Sequence, residues 1–370
     1  MKNNIGSCSG AAAQSLNHNE KGVPMKLSAI CTCSMLALVL PQAAWAQQLV
    51  VNSYGGPYEE IIRERVIAPF EKKYGIEVVY DAVGSASQDY AKIKATNGRP
   101  GFDVVVMTAS QSLEGCKNGL LEKFTVESVP NLAHLAQGVS ANAGACGAVH
   151  EIQYLSLLYR KDQLQSVPDS WAALLDERLK GKVLLPTFQN IMAAYLIEIM
   201  SVANGGDLLG NVEPGFAAMA KLAKQAHGFE QSSSVMENYI TDGTVWAMPF
   251  WSGRAQLLAD RGVPVDFVLP KEGSIPLIAT LNIPAGAENK EAALKFVNFF
   301  LEKSSQEAWV AGYKVGSARS DIAVPHDIRA KQIASEADLN ALLLPDLSAI
   351  AAKLPSWGER WEREVVAASD

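Results

Sequence analysis

The sequence predicts an α/β protein of two α/β lobes joined by a hinge, with a ligand cleft between them. Three observations predict it. Strand and helix patterns alternate in two successive runs, an apolar strand at 278–283 returns after the second run, and the chain beyond residue 46 is long for one core but comfortable for two.

The beginning of the chain sets the compartment. Met25 and Lys26, an apolar run from Leu27 to Leu40, and Ala44-Trp45-Ala46 follow the order of a secretory signal, with Ala46 the expected last residue removed. A membrane anchor is the competing reading, but the run holds Ser28, Thr32 and Ser34 and is short for a bilayer span. Met1 to Pro24 carry no periodicity, and Met25 reads as an alternative start. Cys31 follows Ile30 and Cys33 follows Thr32, neither a lipid-attachment context, so a soluble periplasmic protein without a direct membrane anchor is expected, as a monomer.

Beyond Ala46 two cysteines remain, Cys116 and Cys146, read first as a disulfide in an exported chain and second as two unrelated buried thiols. Removing residues 1–46 takes three basic residues and one acidic residue from totals of 32 and 39, leaving 29 and 38. A balance of −9 with no basic stripe argues against nucleic acid and a membrane-surface patch.

The first run opens with strand 49–51, the turn from Asn52 to Gly56, and a helix from Pro57 whose buried face is Ile61, Ile62, Val66 and Phe70. Gly75 closes that helix; strand 76–80, helix 87–95, strand 102–107 and a helix around 113–124 follow. Such alternation implies a parallel sheet, with the Ser53 to Gly56 and Thr108 to Ser110 turns on one rim at the strand ends. A lobe boundary is placed near Ile152. The second run holds helices at 191–202 and 215–227 and strand 246–250; strands 265–270 and 278–283 return the chain, and Asn289 caps a helix at 291–301. The expected division is 47–152 with 278–312 as lobe 1, and 153–277 with 313–370 as lobe 2.

No catalytic signature is found, neither a glycine-flanked nucleophile serine, a phosphate loop with lysine, nor a zincin motif, so no enzyme is expected. His134, His150, His227 and His326 lack metal-ligand spacing, and no metal or cofactor is expected. Tyr54-Gly55-Gly56 before a helix offers backbone N–H groups to a polar ligand, or is an ordinary tight turn. Trp251, at a strand end, reads equally as a cleft wall and as core packing. Arg254 reads first as a solvated residue in a helix's first turn and second as a bidentate holder of a carboxylate.

From Leu49 to the region of Val324 the chain resembles the periplasmic substrate-binding proteins of spermidine and putrescine importers. The resemblance is carried by Phe250-Trp251-Ser252-Gly253-Arg254, Gly262 to Gly273, Leu281 to Ala285, Asn289 to Leu294 and Asp103 to Val106. It implies a type II periplasmic binding protein fold that closes on a small-molecule solute by hinge motion and hands it to the membrane permease of an ATP-driven importer. It also implies ligand contacts at Trp251, Tyr313, Thr108 and Ser233, with the first-loop tryptophan falling at Ser53 or Tyr54. Tyr54, Gly55, Ser110 and Arg254 complete the expected ligand-binding set. The family's central aspartate falls at Ala279, its neighbouring tryptophan at Leu277, and its second acidic pair near Phe188 and Ile191. A buried ammonium without a carboxylate is costly, so a solute other than a polyamine is expected, one bearing a carboxylate if Arg254 reaches the cleft. The polyamine alternative requires other acids, such as Glu151 or Glu237. Ferric-ion binding is disfavoured because adjacent tyrosines are missing.

Overall fold

β1 (Gln48–Tyr54) ends where Gly55 and Gly56 break its alternation. Gly56 takes φ 67°, left-handed and suited to glycine, and Pro57 at the first helical position starts α1 (Pro57–Ile62). A π turn at Arg63–Ile67 carries the helix into α2 (Ala68–Tyr74), which stops at left-handed Gly75. Tyr58, Ile62, Val66 and Phe70 recur every four residues and are fully buried, so the predicted apolar face gains Tyr58 while Ile61 stays partly exposed. The computed structural model describes residues 48–369 except 84, 141, 142, 165, 330 and 334; Met25, Lys26, Cys31, Cys33 and the Ala44–Ala46 cleavage signal lie outside the described residues.

β2 (Glu77–Val83), α3 (Ala86–Ala95) and β3 (Val104–Thr108) complete the first run, and β1 pairs in parallel with β2 and β3 as the alternation predicts. The helix expected at 113–124 is corrected. α4 (Ala109–Lys117) starts and ends earlier, because Thr108 and Gln111 form a capping box and left-handed Gly119 follows the C-cap, Asn118. Leu121 instead bridges Pro284, and the Phe124 backbone N–H donates to the Ala145 carbonyl. Cys116 on α4 and Cys146 are joined in a disulfide with Cα atoms 5.6 Å apart, tying α4 to the segment that enters the next strand.

After α5 (Gln137–Ser140), β4 (Ala148–Arg160) runs thirteen residues, all buried. β5 (Leu184–Pro186), α6 (Met192–Ala203), α7 (Glu213–Ala223), β6 (Gly228–Glu230) and α8 (Ser233–Thr241) follow, with β5 and β6 forming a parallel pair. β7 (Ala247–Trp251), α9 (Ser252–Asp260), β8 (Val265–Val268) and β9 (Pro276–Asn282) bring the chain back to β4. The main sheet runs β2-β1-β3-β9-β4-β7, with β8 also paired to β4. β9 lies antiparallel to β3 and to residues 148–154 of β4, while residues 155–160 of β4 pair with β7 and β8.

α10 (Lys290–Phe300) and α11 (Lys303–Tyr313) pack near the first run, with Phe70 against Phe296 at 5.1 Å and Trp309 against Tyr58 at 4.9 Å. Asn289 occupies the N-cap, but its side chain does not cap the helix. It donates to Asp103 at 3.2 Å, and the Asn289 backbone N–H donates to the same carboxylate at 2.8 Å. Asp103 also accepts from the Val50 backbone N–H at 3.0 Å, so one acid joins β1 to the start of α10.

Among the described residues, Glu198 is a buried acid with no hydrogen-bond partner on either oxygen. It lies fully buried on α6, and burial pushes its pKa up to about 9. The neutral form is therefore favoured in the folded chain, and its contribution is complete below the ordinary value of 4.5 and lost as pH rises through about 9. Glu198→Gln is expected to unfold with a flatter pH dependence than the parent between those limits, measured by urea melts; parallel profiles would contradict this. Cys116→Ser/Cys146→Ser is expected to lose roughly 3 to 4 kcal/mol in the same assay, the chain-entropy value for a loop of this length.

Candidate functional site

A cleft enclosing about 620 Å³, open mouth included, lies where the ends of β1, β3 and β7 meet α8, α9 and the middle of β4. Its lining is drawn from both halves of the chain. Tyr54, Gly55, Ser85, Ser87, Thr108, Gln111, Glu151 and Gln153 come from the first half, and Gln189 to Ile191, Ser232 to Ser234, Trp251, Arg254, Leu277 and Tyr313 from the second.

Local structure explains each wall. Tyr54 ends β1, its carbonyl accepts from Tyr80 Oη at 2.6 Å, and its ring meets Tyr58 edge-on at 5.3 Å. Tyr58 in turn touches Tyr313, whose ring stacks on Trp309 at 4.8 Å, so a chain of aromatics holds the cleft tyrosines. Trp251 ends β7, 7 % exposed, with Tyr195 edge-on at 6.2 Å. Its two readings merge: the ring is packed in the core and lines the cleft. Thr108 is fixed by its capping box with Gln111, and Gln111 Nε2 donates to Ser87 Oγ at 3.2 Å.

Ser53 and Ser110 do not line the cleft. Both are buried behind it, and Ser110 Oγ bonds Thr108 Oγ1 at 2.9 Å. Ser233 lines it from the first residue of α8.

The first reading of Arg254, as a solvated residue, is corrected. It is 4 % exposed, because the first turn of α9 faces the cleft, and Nε donates to Glu237 at 2.6 Å. Its Nη2 donates to Ser234 Oγ at 3.0 Å and to the Gly55 carbonyl at 3.2 Å, where Ser234 Oγ also donates at 3.2 Å. Burial opposes the guanidinium's charge, but Glu237, with smaller contributions from Tyr313 and Glu151, more than offsets it and the Arg254 pKa stands above its ordinary value. Gln231 Nε2 donates across to Ser85 Oγ at 3.2 Å. Gly56 lies under this contact: a Cβ there would stand 2.6 Å from Ser234 Oγ.

Glu151 sits at a register shift in the pairing of β4 with β9, between Val149 and Glu151, a bulge that sends His150 to the core side and Glu151 into the cleft. His150 Nε2 bonds Tyr58 Oη at 3.0 Å, and burial lowers its pKa to about 3, so it is neutral. Glu151 accepts from Gln153 Nε2 at 2.9 Å and Trp309 Nε1 at 3.0 Å, and burial raises its pKa to about 7. Glu151 stands in register with Ala279, and Gln153 with Leu277, on the face that meets the cleft. Sequence reasoning missed the hydroxyl and amide wall of Ser85, Ser87, Gln189, Asn190, Ser232 and Ser234; the polar run from Gln231 to Ser234 was its one local signal. Among the described residues no three His, Cys, Asp or Glu side chains gather as a metal site.

Residues 65–337 match the family model described as bacterial extracellular solute-binding protein. The spermidine/putrescine-binding periplasmic protein of Escherichia coli K12 is 27% identical over 322 residues, covering 84% of this chain and 86% of that protein. The gamma-aminobutyric acid-binding protein of Pseudomonas aeruginosa is 27% identical over 285 residues, covering 74% and 78%. Among solved structures, an ABC transporter substrate-binding protein from Bradyrhizobium japonicum USDA 110 superposes with TM-score 0.72 at 21% identity, over 86% of this chain and 99% of that one. The periplasmic binding protein MotA from A. tumefaciens B6, in complex with glucopine, superposes at 0.73 and 17%, over 86% and 100%. These likenesses establish the two-lobed type II fold.

Removing Glu237 leaves a buried guanidinium without its counter-ion. Glu237→Ala is expected to lose about 3 to 5 kcal/mol in urea unfolding, and a loss below about 1 kcal/mol would mean the pair is solvated.

Proposed function

The chain belongs to the bacterial extracellular solute-binding proteins, and we propose that it captures a small organic solute in this cleft by closure of two lobes. It is a binding component of an ATP-driven importer, working with a membrane permease, and is not an enzyme. The proposed lobes are 47–152 with 278–312 and 153–277 with 313–370, and the proposed ligand contacts are Tyr54, Gly55, Thr108, Ser233, Trp251, Arg254 and Tyr313. Ser53 and Ser110 support the wall behind them. Release to the periplasm by cleavage after Ala46, as a monomer without an anchor, completes the proposal; among the described residues no helix is long and apolar enough to cross a membrane.

The observation that carries the reading is the contact at Gly55, whose carbonyl receives Ser234 and Arg254 from across the cleft. Such hydrogen bonds form when the two walls meet and are lost when they part, so a solute that fills the cleft favours the closed arrangement. Aromatic walls beside a hydroxyl and amide wall suit a molecule with an apolar body and several polar groups. A polyamine is disfavoured, because Glu237 is already neutralised by Arg254 and a second ammonium finds no free acid among the lining residues.

Binding is expected to raise the melting temperature by mass action and to reduce the radius of gyration in small-angle scattering. No melting shift with any small solute would overturn the reading. Mass spectrometry of the exported protein is expected to give Gln47 as its first residue.

A further inference from the structure

We propose that the cleft selects a solute carrying one cationic amine, received by Glu151, and rejects diamines and anions. The proposal rests on the solute-capture reading and names the ligand class of that same cleft.

Leaving aside the tyrosines, the described lining residues that ionise are Glu151 and Arg254. Arg254 has its counter-ion in Glu237 at 2.6 Å, and its Nη2 bonds Ser234 and Gly55, so its charge is matched within the protein. Glu151 has neutral partners instead. Each carboxylate oxygen accepts one N–H, from Gln153 and from Trp309, and keeps a lone pair for another donor. His150 Nε2 lies 3.7 Å from Glu151, but that nitrogen bonds Tyr58 Oη and the ring is held neutral by burial.

The bulge at His150 makes this arrangement specific. Without the shift in register the acid's position on β4 would fall on the opposite face, away from the cleft. A buried carboxyl whose hydrogen-bond partners are all neutral is costly to the fold; the Arg254 charge offsets part of that cost from a distance, and an ammonium from solution would complete the site with charge and hydrogen bond together. One amine satisfies the site. A second would be buried among serine, glutamine and asparagine groups without an acid, and an anion would meet Glu151 while Arg254 is already paired.

Amine binding is linked to protons. The groups facing Glu151 are Tyr54, Tyr58, Tyr313, Arg254 and His150, with Gln153 and Trp309 as its bonded neighbours. Burial holds its carboxyl up at about 7, and an adjacent ammonium favours the ionised form. Binding therefore releases a proton below that pH, and affinity weakens as pH falls, by up to about tenfold per unit.

The test uses the mature protein and a matched four-carbon series: putrescine, 4-amino-1-butanol, γ-aminobutyrate, 1,4-butanediol and succinate, with glucosamine, glucose and glucuronate as a larger set. Calorimetry and melting shifts rank them. The expected result is that the tightest binders carry one amine, at least tenfold ahead of the diamine, the uncharged members and the anions. They should release protons at pH 6, and lose at least tenfold in affinity in Glu151→Gln. If that variant does not fold, the parent's ranking and proton release decide the matter. Tightest binding by putrescine, succinate or an uncharged member, or unchanged affinity in a folded Glu151→Gln, overturns the single-amine inference and leaves solute capture standing. A response to none of the eight also overturns it, and if a wider solute screen is silent too, the capture reading falls with it.

Discussion

The structure depends on β4. Its thirteen buried residues pair with β9 over the first half and with β7 and β8 over the second, so one strand carries both ends of the sheet. A strand in that position must satisfy its backbone on both sides and tolerates little slippage, since a shift of one residue turns every side chain over. The shift that does occur lies between Val149 and Glu151, and it places an acid and an amide, Glu151 and Gln153, toward the cleft. The geometry of the site is thus a property of the sheet and not of a loop laid over it.

Around that strand the cleft is built mainly from neutral polar groups and aromatic rings. Arg254, the cation among its described lining residues, is matched to its own acid, and the pair holds α8 and α9 against the glycine turn after β1. Buried ion pairs of this kind return little net stability, but they fix geometry, because every alternative arrangement leaves a charge bare. In a receptor that opens and closes, this favours two well-defined states over a continuum between them.

Much of this was legible in the sequence. Residues with strong period, such as Ile62, Val66 and Phe70, announce their helix, and the sequence pattern puts the turns at Gly55–Gly56 and Thr108 on one rim. The helix after β3 was misplaced because its start is set by a capping box hidden in Thr108 and Gln111, while the apolar residues further on belong to a loop. Arg254 was misjudged because its burial is decided by Glu237, seventeen residues earlier on another helix, a relation that no local pattern carries. The hydroxyl wall was missed for the same reason: serines at element ends look like ordinary caps. A charge inside the apolar run from Ala148 to Leu158 was a usable signal, and Glu151 is the residue it marks.

Gly56 sets the tolerance of the whole device. A single added carbon there would press on Ser234 Oγ at 2.6 Å and Arg254 Nη2 at 3.2 Å, at a backbone angle that side chains rarely adopt. The facing surfaces are therefore gauged to less than the thickness of a methyl group, and the position works like the seat of a valve. Any side chain at that point would wedge the jaws apart, leaving a receptor whose interior chemistry is intact and whose grip is gone.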